Sequence, residues 1–361
     1  MEKEERPLLG AHQKIELGKI KRASAARLMS FLLCVGILTA AFAASGVWKD
    51  LGQWFGDEAD SMGSEKTPSA GNADALLDPP SATDTKEETE DAVEIPVGAT
   101  PVVSMDLSAD WSEGAALENQ TVYRVSEIDL LSIVLKCDGS LSSQEPLVLV
   151  LHTHSSEAYL EPNAAYLVGD VGDQIYSDQE DRSVLSVGAA LCDTLNKNGI
   201  PTVQCSQKHG MDGTLQNAYA SSEACIKAYL KRYPSIQYVV DLHRDGILDR
   251  SGALVRTEIQ KSGESYGQIM AVVGSDGNGT EHPSWEQNLA LALQLCSRLN
   301  ASTEGLCRRA SLRNASYNQE LAPYSLLLEI GSAGNTQEEA IRSAKLVGEE
   351  LASMIKEALV S

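Results

Sequence analysis

Residues 146–157 read PLVLVLHTHSSE. Leu147 to Leu151 form an unbroken apolar run, too short for a stable helix and too uniform for a strand with one wet face. The run therefore predicts a strand buried on both sides. It stops abruptly at His152, Thr153, His154 and, after two serines, Glu157. The same construction recurs twice. QYVVDLHRDG (237–246) carries an apolar run into Asp241, His243, Arg244 and Asp245, and YSLLLEIGS (324–332) carries one into Glu329. IPTVQC (200–205) and IMAVVGS (269–275) read as further strands.

Between these strands lie segments with helical spacing. SVLSVGAALCDTLNKNG (183–199) places Val184, Val187, Leu191 and Leu195 on one face and stops at Asn198-Gly199. SSEACIKAYLKRYP (221–234), SWEQNLALALQLCSRLN (284–300, with Ser284 as cap) and TQEEAIRSAKLVGEELASMIKEAL (336–359) follow. Alternating strands and helices predict an α/β fold, a single domain over 146–361 with a mixed or mostly parallel sheet flanked by helices. Residues 101–145, including TVYRVSEIDLLSIVLK, read as a small amino-terminal embellishment with a short strand and a helix.

In open α/β sheets the ligand crevice lies beyond the carboxyl ends of the strands, so the three polar clusters are expected to meet at one edge. The chain has six histidines, and His152, His154 and His243, half of them, sit at these ends. Two imidazoles and a carboxylate with an open position are a recurrent catalytic zinc arrangement. Such an ion acidifies water and polarises a carbonyl while a further carboxylate moves the proton. His152 and His154 are two apart and would share a face on extended backbone. Glu329 is expected to be the proton carrier, because a carboxylate among apolar neighbours is costly to bury as the anion. A salt bridge to Arg244 or Arg313 is the plainer alternative for it.

Other chemistries lack their signatures. No Gly-rich phosphate loop and no GxSxG elbow occur. The loop GSDGNGTEHPSW (274–285) does not have the spacing of a calcium loop and is expected to line a groove, with Trp285 as an apolar contact. Six cysteines follow residue 100 without CxxC spacing and read as buried free thiols.

The chain has 361 residues and a formal net charge of −22, which argues against binding the phosphate backbone of nucleic acids. Residues 57–94 hold twelve Asp and Glu against two Lys. With few large apolar residues, the stretch 49–100 is expected to be an acidic flexible linker. Upstream, residues 28–48 (LMSFLLCVGILTAAFAASGVW) carry no charge and follow the basic segment 1–27 with Lys14, Lys19, Lys21, Arg22 and Arg27. That pattern predicts a single transmembrane signal anchor with the rest of the chain outside the cell membrane. Ala41-Phe42-Ala43 would also fit a cleavage site if the segment were a signal peptide.

HTHSSEAY (152–159), YPSIQYVVDLHRDG (233–246), the pair QIMAVVG and WEQNL, and SYNQELAPYSLLLEIGSAGNTQEEA (316–340) occur in order over roughly residues 146–358. Together with the apolar segment and linker, they resemble the stage II sporulation protein P family of cell-wall hydrolases from endospore formers. The resemblance implies a zinc-dependent N-acetylmuramoyl-L-alanine amidase acting on peptidoglycan, with endopeptidase activity also attributed to the family. It implies a zinc-amidase-like fold, anchorage in the mother-cell membrane facing the septal wall, and a role in engulfment. The implied partners are a lytic transglycosylase, stage II sporulation protein D, and a membrane scaffold protein.

Position by position, the resemblance implies metal ligands at His152 or His154, at Glu157 (in preference to Glu180 or Asp181), and at His243. Glu329 becomes the base. Arg244 or Asn318 would stabilise the oxyanion, with Asn318 and Trp285 touching substrate. Glu320 stands where the family often has His. The rival readings are a metal-dependent endopeptidase cutting the stem peptide and a non-catalytic wall-binding domain.

Overall fold

The apolar runs of 146–151, 237–243 and 324–332 become three adjacent parallel strands at the centre of a sheet. The computed structural model describes residues 94–108, 116–139, 141, 145–209 and 215–360. In chain order the strands are β1 (Thr100–Met105), β2 (Leu117–Asn119), β3 (Val148–Leu151), β4 (Tyr166–Leu167), β5 (Thr202–Gln204), β6 (Tyr238–Asp245), β7 (Leu254–Lys261), β8 (Glu264–Gly267), β9 (Ile269–Gly274), β10 (Ala310–Arg313) and β11 (Tyr324–Ser332). The helices are α1 (Glu127–Leu131), α2 (Gly172–Ile175), α3 (Val184–Lys197), α4 (Leu215–Arg232), α5 (Trp285–Ser302) and α6 (Gln337–Val360).

Seven strands form a mixed sheet in the order β2-β10-β9-β11-β6-β3-β5, in which only the β9–β11 pair is antiparallel. Both faces are covered, which is why the central strands are continuously apolar. Val148, Val150, Tyr238, Val240, Leu242, Leu326 and Leu328 pack with α3, α5 and α6. The alternate residues Leu149, Leu151 and Val239 pack with Cys225 and Ile226 of α4. Helix α3 begins at Ser183, whose hydroxyl accepts from the Leu185 N–H, and ends before Gly199 in the left-handed conformation (φ 78°). Ser284 occupies the cap position of α5 but makes no side-chain cap.

A second sheet was not expected from the sequence. β4, β1, β7 and β8 form it, with β7 and β8 joined through Ser262 and Gly263, both at positive φ as a tight hairpin requires. The amino-terminal segment is built into the domain rather than appended to it. β1 runs parallel to β7 inside the small sheet, and β2 is the edge strand beside β10 in the large one.

The expected segments 1–27 and 28–48, and the linker up to residue 93, lie outside the described residues. Among the described residues no helix is long and apolar enough to cross a membrane. The six cysteines after residue 100 are free and buried.

Candidate metal centre

The carboxyl ends of β3, β6 and β11 lie side by side, with Leu151 paired to Asp241 and Glu329 paired to His243. Strand parity decides which side chains meet. Asp241 and His243 share the parity of Val239, and Glu329 that of Leu327, so all three leave the sheet on the α4 side. His152 has the parity of Val148 and Val150 and faces α3 instead. Its Nδ1 lies 2.9 Å from the Leu242 carbonyl and its Nε2 3.0 Å from the Gln204 amide nitrogen. Burial holds its pKa down at about 4, so the ring is neutral at ordinary pH.

His154 does not share that face. β3 ends at Leu151, and residues 153–156 turn, bringing His154 and Glu157 together with His243. The expectation that His152 and His154 point the same way is thus corrected, because the backbone between them is not extended. Glu157 Oε1 lies 3.3 Å from His154 Nδ1, and Oε2 lies 3.3 Å from His243 Nδ1. One ligand atom from each of these three residues lies within 4.8 Å of the others. The Arg244 backbone N–H donates to Glu157 Oε2 at 3.2 Å. The turn is fastened by Thr153, whose N–H and hydroxyl donate to the two Asp241 oxygens at 2.8 and 2.6 Å.

Glu180 and Asp181 are exposed on a short 3₁₀ turn before α3, and Glu180 reaches Lys208 at 3.4 Å, not the histidines.

The charges in this cluster are tightly linked. Burial alone would lift the Glu157 carboxyl, but the His243 and His154 imidazoles outweigh it and hold the pKa well below the carboxylate range. Burial would depress His243, but Asp241 and Glu157 raise it well above the ordinary histidine value. Asp241 is held down against burial by His243 and Thr153. His243 Nε2 lies 3.0 Å from Asp241 Oδ1, an ion-pair separation, yet the alignment does not make a hydrogen bond, and the nitrogen is buried without one.

Glu329 is the outlier. Its side chain is partly exposed, but Oε2 is buried without a hydrogen-bond partner. Its pKa is pushed up to about 8 by burial and then by the Asp245 carboxylate, against the pull of His243. Asp245 is itself paired to Arg308 at 2.7 Å. Two imidazoles and the Glu157 carboxylate converge here, with the Asp241 and Glu329 carboxylates beside His243 and buried atoms of His243 and Glu329 unsatisfied. That donor set fits a borderline cation such as Zn²⁺.

The sequence matches the profile described as Stage II sporulation protein P (SpoIIP) over residues 57–352. The chain belongs to that family. It is 27% identical over 232 residues to Stage II sporulation protein P of Bacillus subtilis (strain 168), an alignment covering 59% of this chain and 52% of the relative. The chain thus spans about half the length of the curated relative it matches. Among solved structures, the N-acetylmuramoyl-L-alanine amidase of Clostridium difficile 630 is 12% identical, with a TM-score of 0.37 and coverage of 61% of this chain and 99% of that one. The apo N-acetylmuramyl-L-alanine amidase Ami1 of Mycobacterium abscessus is 15% identical, with a TM-score of 0.34 and coverage of 59% and 98%.

Arg244, Asn318 and Trp285, expected to stabilise the oxyanion or to touch substrate, make other contacts here. The Arg244 guanidinium donates to the carbonyls of Ala158 (3.0 Å), Ile175 (2.7 Å) and Asp245 (3.4 Å) and lies over the Tyr176 ring, so its polar edge is spent on backbone. Asn318 donates to the Tyr219 carbonyl at 2.9 Å and the Ser222 hydroxyl at 3.1 Å, tying its loop to α4. Trp285 is a core residue, buried and stacked on Tyr123 at 5.1 Å, because the first turn of α5 points inward. It lines no groove.

Tyr219 went unnoticed in the sequence. Its ring stands edge-on to His154 at 5.6 Å, and burial raises its hydroxyl pKa well above the ordinary value. A tyrosine on an amphipathic helix carries no signal of such a role. Arg308 was missed for the same reason: its pairing with Asp245 is not local.

Proposed function

We propose that this chain is a metal-dependent peptidoglycan hydrolase that cleaves the amide between N-acetylmuramic acid and L-alanine, with Zn²⁺ held by His154, Glu157 and His243. The observation that carries the reading is Glu157 standing 3.3 Å from both His154 and His243 while Glu329, with its raised pKa, sits opposite His243 on β11. When bound there, Zn²⁺ supplies a Lewis acid that polarises the scissile carbonyl and makes water a better nucleophile at neutral pH.

The residues of the chain do the rest. Asp241, fixed by Thr153, faces His243 Nε2 and sets that ring's orientation, leaving Nδ1 toward Glu157. Glu329 takes the proton of the attacking water on its carboxylate and delivers it to the departing L-alanine nitrogen. A carboxyl with a pKa near neutrality can do both, whereas one at the ordinary value would be a poor acid donor. Tyr219, whose ring stands edge-on to His154, packs beside that ligand.

Placement outside the cell membrane, action during engulfment, and work beside a lytic transglycosylase (stage II sporulation protein D) and a membrane scaffold belong to this proposal. Their support is family membership and the apolar segment at 28–48.

The test is product analysis on purified peptidoglycan with and without chelator. Free stem peptides beginning with L-alanine, lost on chelation and in His243→Ala, are expected. Cut cross-links with stems still attached would replace the amidase by an endopeptidase. No product under any condition would leave a wall-binding domain.

A further inference from the structure

A second cluster of metal-ligating side chains lies away from the strand-end carboxylates. Cys205 directly follows β5, His209 is four residues on, and Cys225 lies on the sheet-facing side of α4. All three are buried, at 1%, 1% and 5% exposure. One ligand atom from each lies within 4.8 Å of the others, and Cys205 Sγ is 3.9 Å from His209 Nε2. We propose that Cys205, His209 and Cys225 form a second metal site that takes a thiophilic divalent cation, Zn²⁺ above all, and fastens α4 to the turn carrying His154 and Glu157.

Three features carry this. The donor set is two thiols and an imidazole, which selects zinc over the hard cations that prefer oxygen. The spacing suits it, since tetrahedral zinc with Zn–S of about 2.3 Å and Zn–N of about 2.0 Å sets S and N roughly 3.6 Å apart. The imidazole is oriented for it as well: His209 Nδ1 is 2.8 Å from the Ser221 hydroxyl, and when that nitrogen carries the proton, Nε2 presents a lone pair to the sulfur. Two thiolates, a neutral imidazole and a divalent cation sum to zero charge, so a filled site buries no uncompensated charge.

The fastening runs through hydrogen bonds already in place. The His209 N–H donates to Ser155 Oγ at 2.8 Å, and the Ser155 N–H donates to the His209 carbonyl at 3.3 Å. Ser155 lies between His154 and Glu157 in the chain. From α4, Ser221 meets His209, and the Ser222 hydroxyl lies 2.8 Å from that of Thr153. An ion joining Cys205 and His209 to Cys225 would close this loop of contacts, so it is a positioning site with no part in bond cleavage.

Cobalt substitution of the full-length chain, purified under reducing conditions and stripped of metal, tests the proposal. The wild type is expected to develop a thiolate-to-cobalt charge-transfer band and to bind one equivalent of metal more than the Cys205→Ser/Cys225→Ser double variant, which lacks the band. His243→Ala is expected to keep the band, which separates this site from the one under Proposed function. Should the double variant fail to fold, the wild-type and His243→Ala spectra still decide. Absence of the band from reduced wild type would overturn the proposal, as would native cysteines recovered as a Cys205–Cys225 disulfide that binds no cobalt after reduction.

Discussion

Replacing Glu329 by Gln is expected to stabilise the metal-free protein while abolishing turnover. Glu329 has its pKa raised from 4.5 to about 8. The folded chain therefore holds a proton there that the unfolded chain releases. Stability associated with this group is full below the ordinary carboxyl value and is lost as pH rises towards about 8. Gln keeps the shape and cannot ionise, so the variant escapes that loss. At about 1.4 kcal/mol per pKa unit, the whole displacement corresponds to an upper bound of roughly 4–5 kcal/mol. Glu329 keeps some solvent contact, and screening reduces the expected gain to about 1–2 kcal/mol near pH 8. For a domain of this size that is a rise in Tm of roughly 3–6 °C. The assay is thermal unfolding of chelator-treated wild type and Glu329→Gln at about pH 5 and about pH 8, beside hydrolysis by the metal-loaded forms. A gain near pH 8 that shrinks near pH 5, with activity down by about 10²-fold or more, is expected. Destabilisation near pH 8, or a gain independent of pH, would refute the assignment of Glu329 as an ionisable group under strain.

Other perturbations separate binding from architecture. His154→Ala and His243→Ala are expected to lose one equivalent of zinc together with activity, measured by metal content and product release. His152→Ala should keep its zinc but lose about 1–3 kcal/mol in denaturant unfolding, because the Leu242 carbonyl and Gln204 lose a buried partner. Gly188→Ala should cost about 1–3 kcal/mol, since a Cβ there would stand 2.4 Å from His152 Cε1 and Nε2. Asp245→Asn removes the carboxylate that, after burial, most raises the Glu329 pKa, so the acidic limb of the pH–rate profile is expected to move to lower pH.

Much of this was legible in the chain because the central strands announce themselves. A run such as LVLVL or SLLL has one stable use, and where three of them end in ionisable residues the parallel sheet must bring those ends to one edge. The cost of burying Glu329 was also visible from its neighbours alone. What escaped depends on pairings remote in sequence. Whether His152 or His154 joins Glu157 turns on strand β3 ending one residue before His152, which the HxH pattern cannot show. Trp285, Asn318 and Arg244 have residue types that serve core, loop and backbone contacts as readily as substrates. The second sheet was hidden because β1 and β7 are about 150 residues apart in sequence and neither is a continuous apolar run. Cys205 and Cys225 lack the close spacing that marks a metal motif, since one follows a strand and the other rides a helix.

The most direct test of the central claim is an anomalous difference map recorded at the zinc edge on crystals of the zinc-loaded chain. A peak coordinated by His154, Glu157 and His243, absent from crystals of His243→Ala, is the expected result. A map with zinc ligated by His152, or by Glu180 or Asp181, or with no metal at the ends of β3 and β6, would contradict the account.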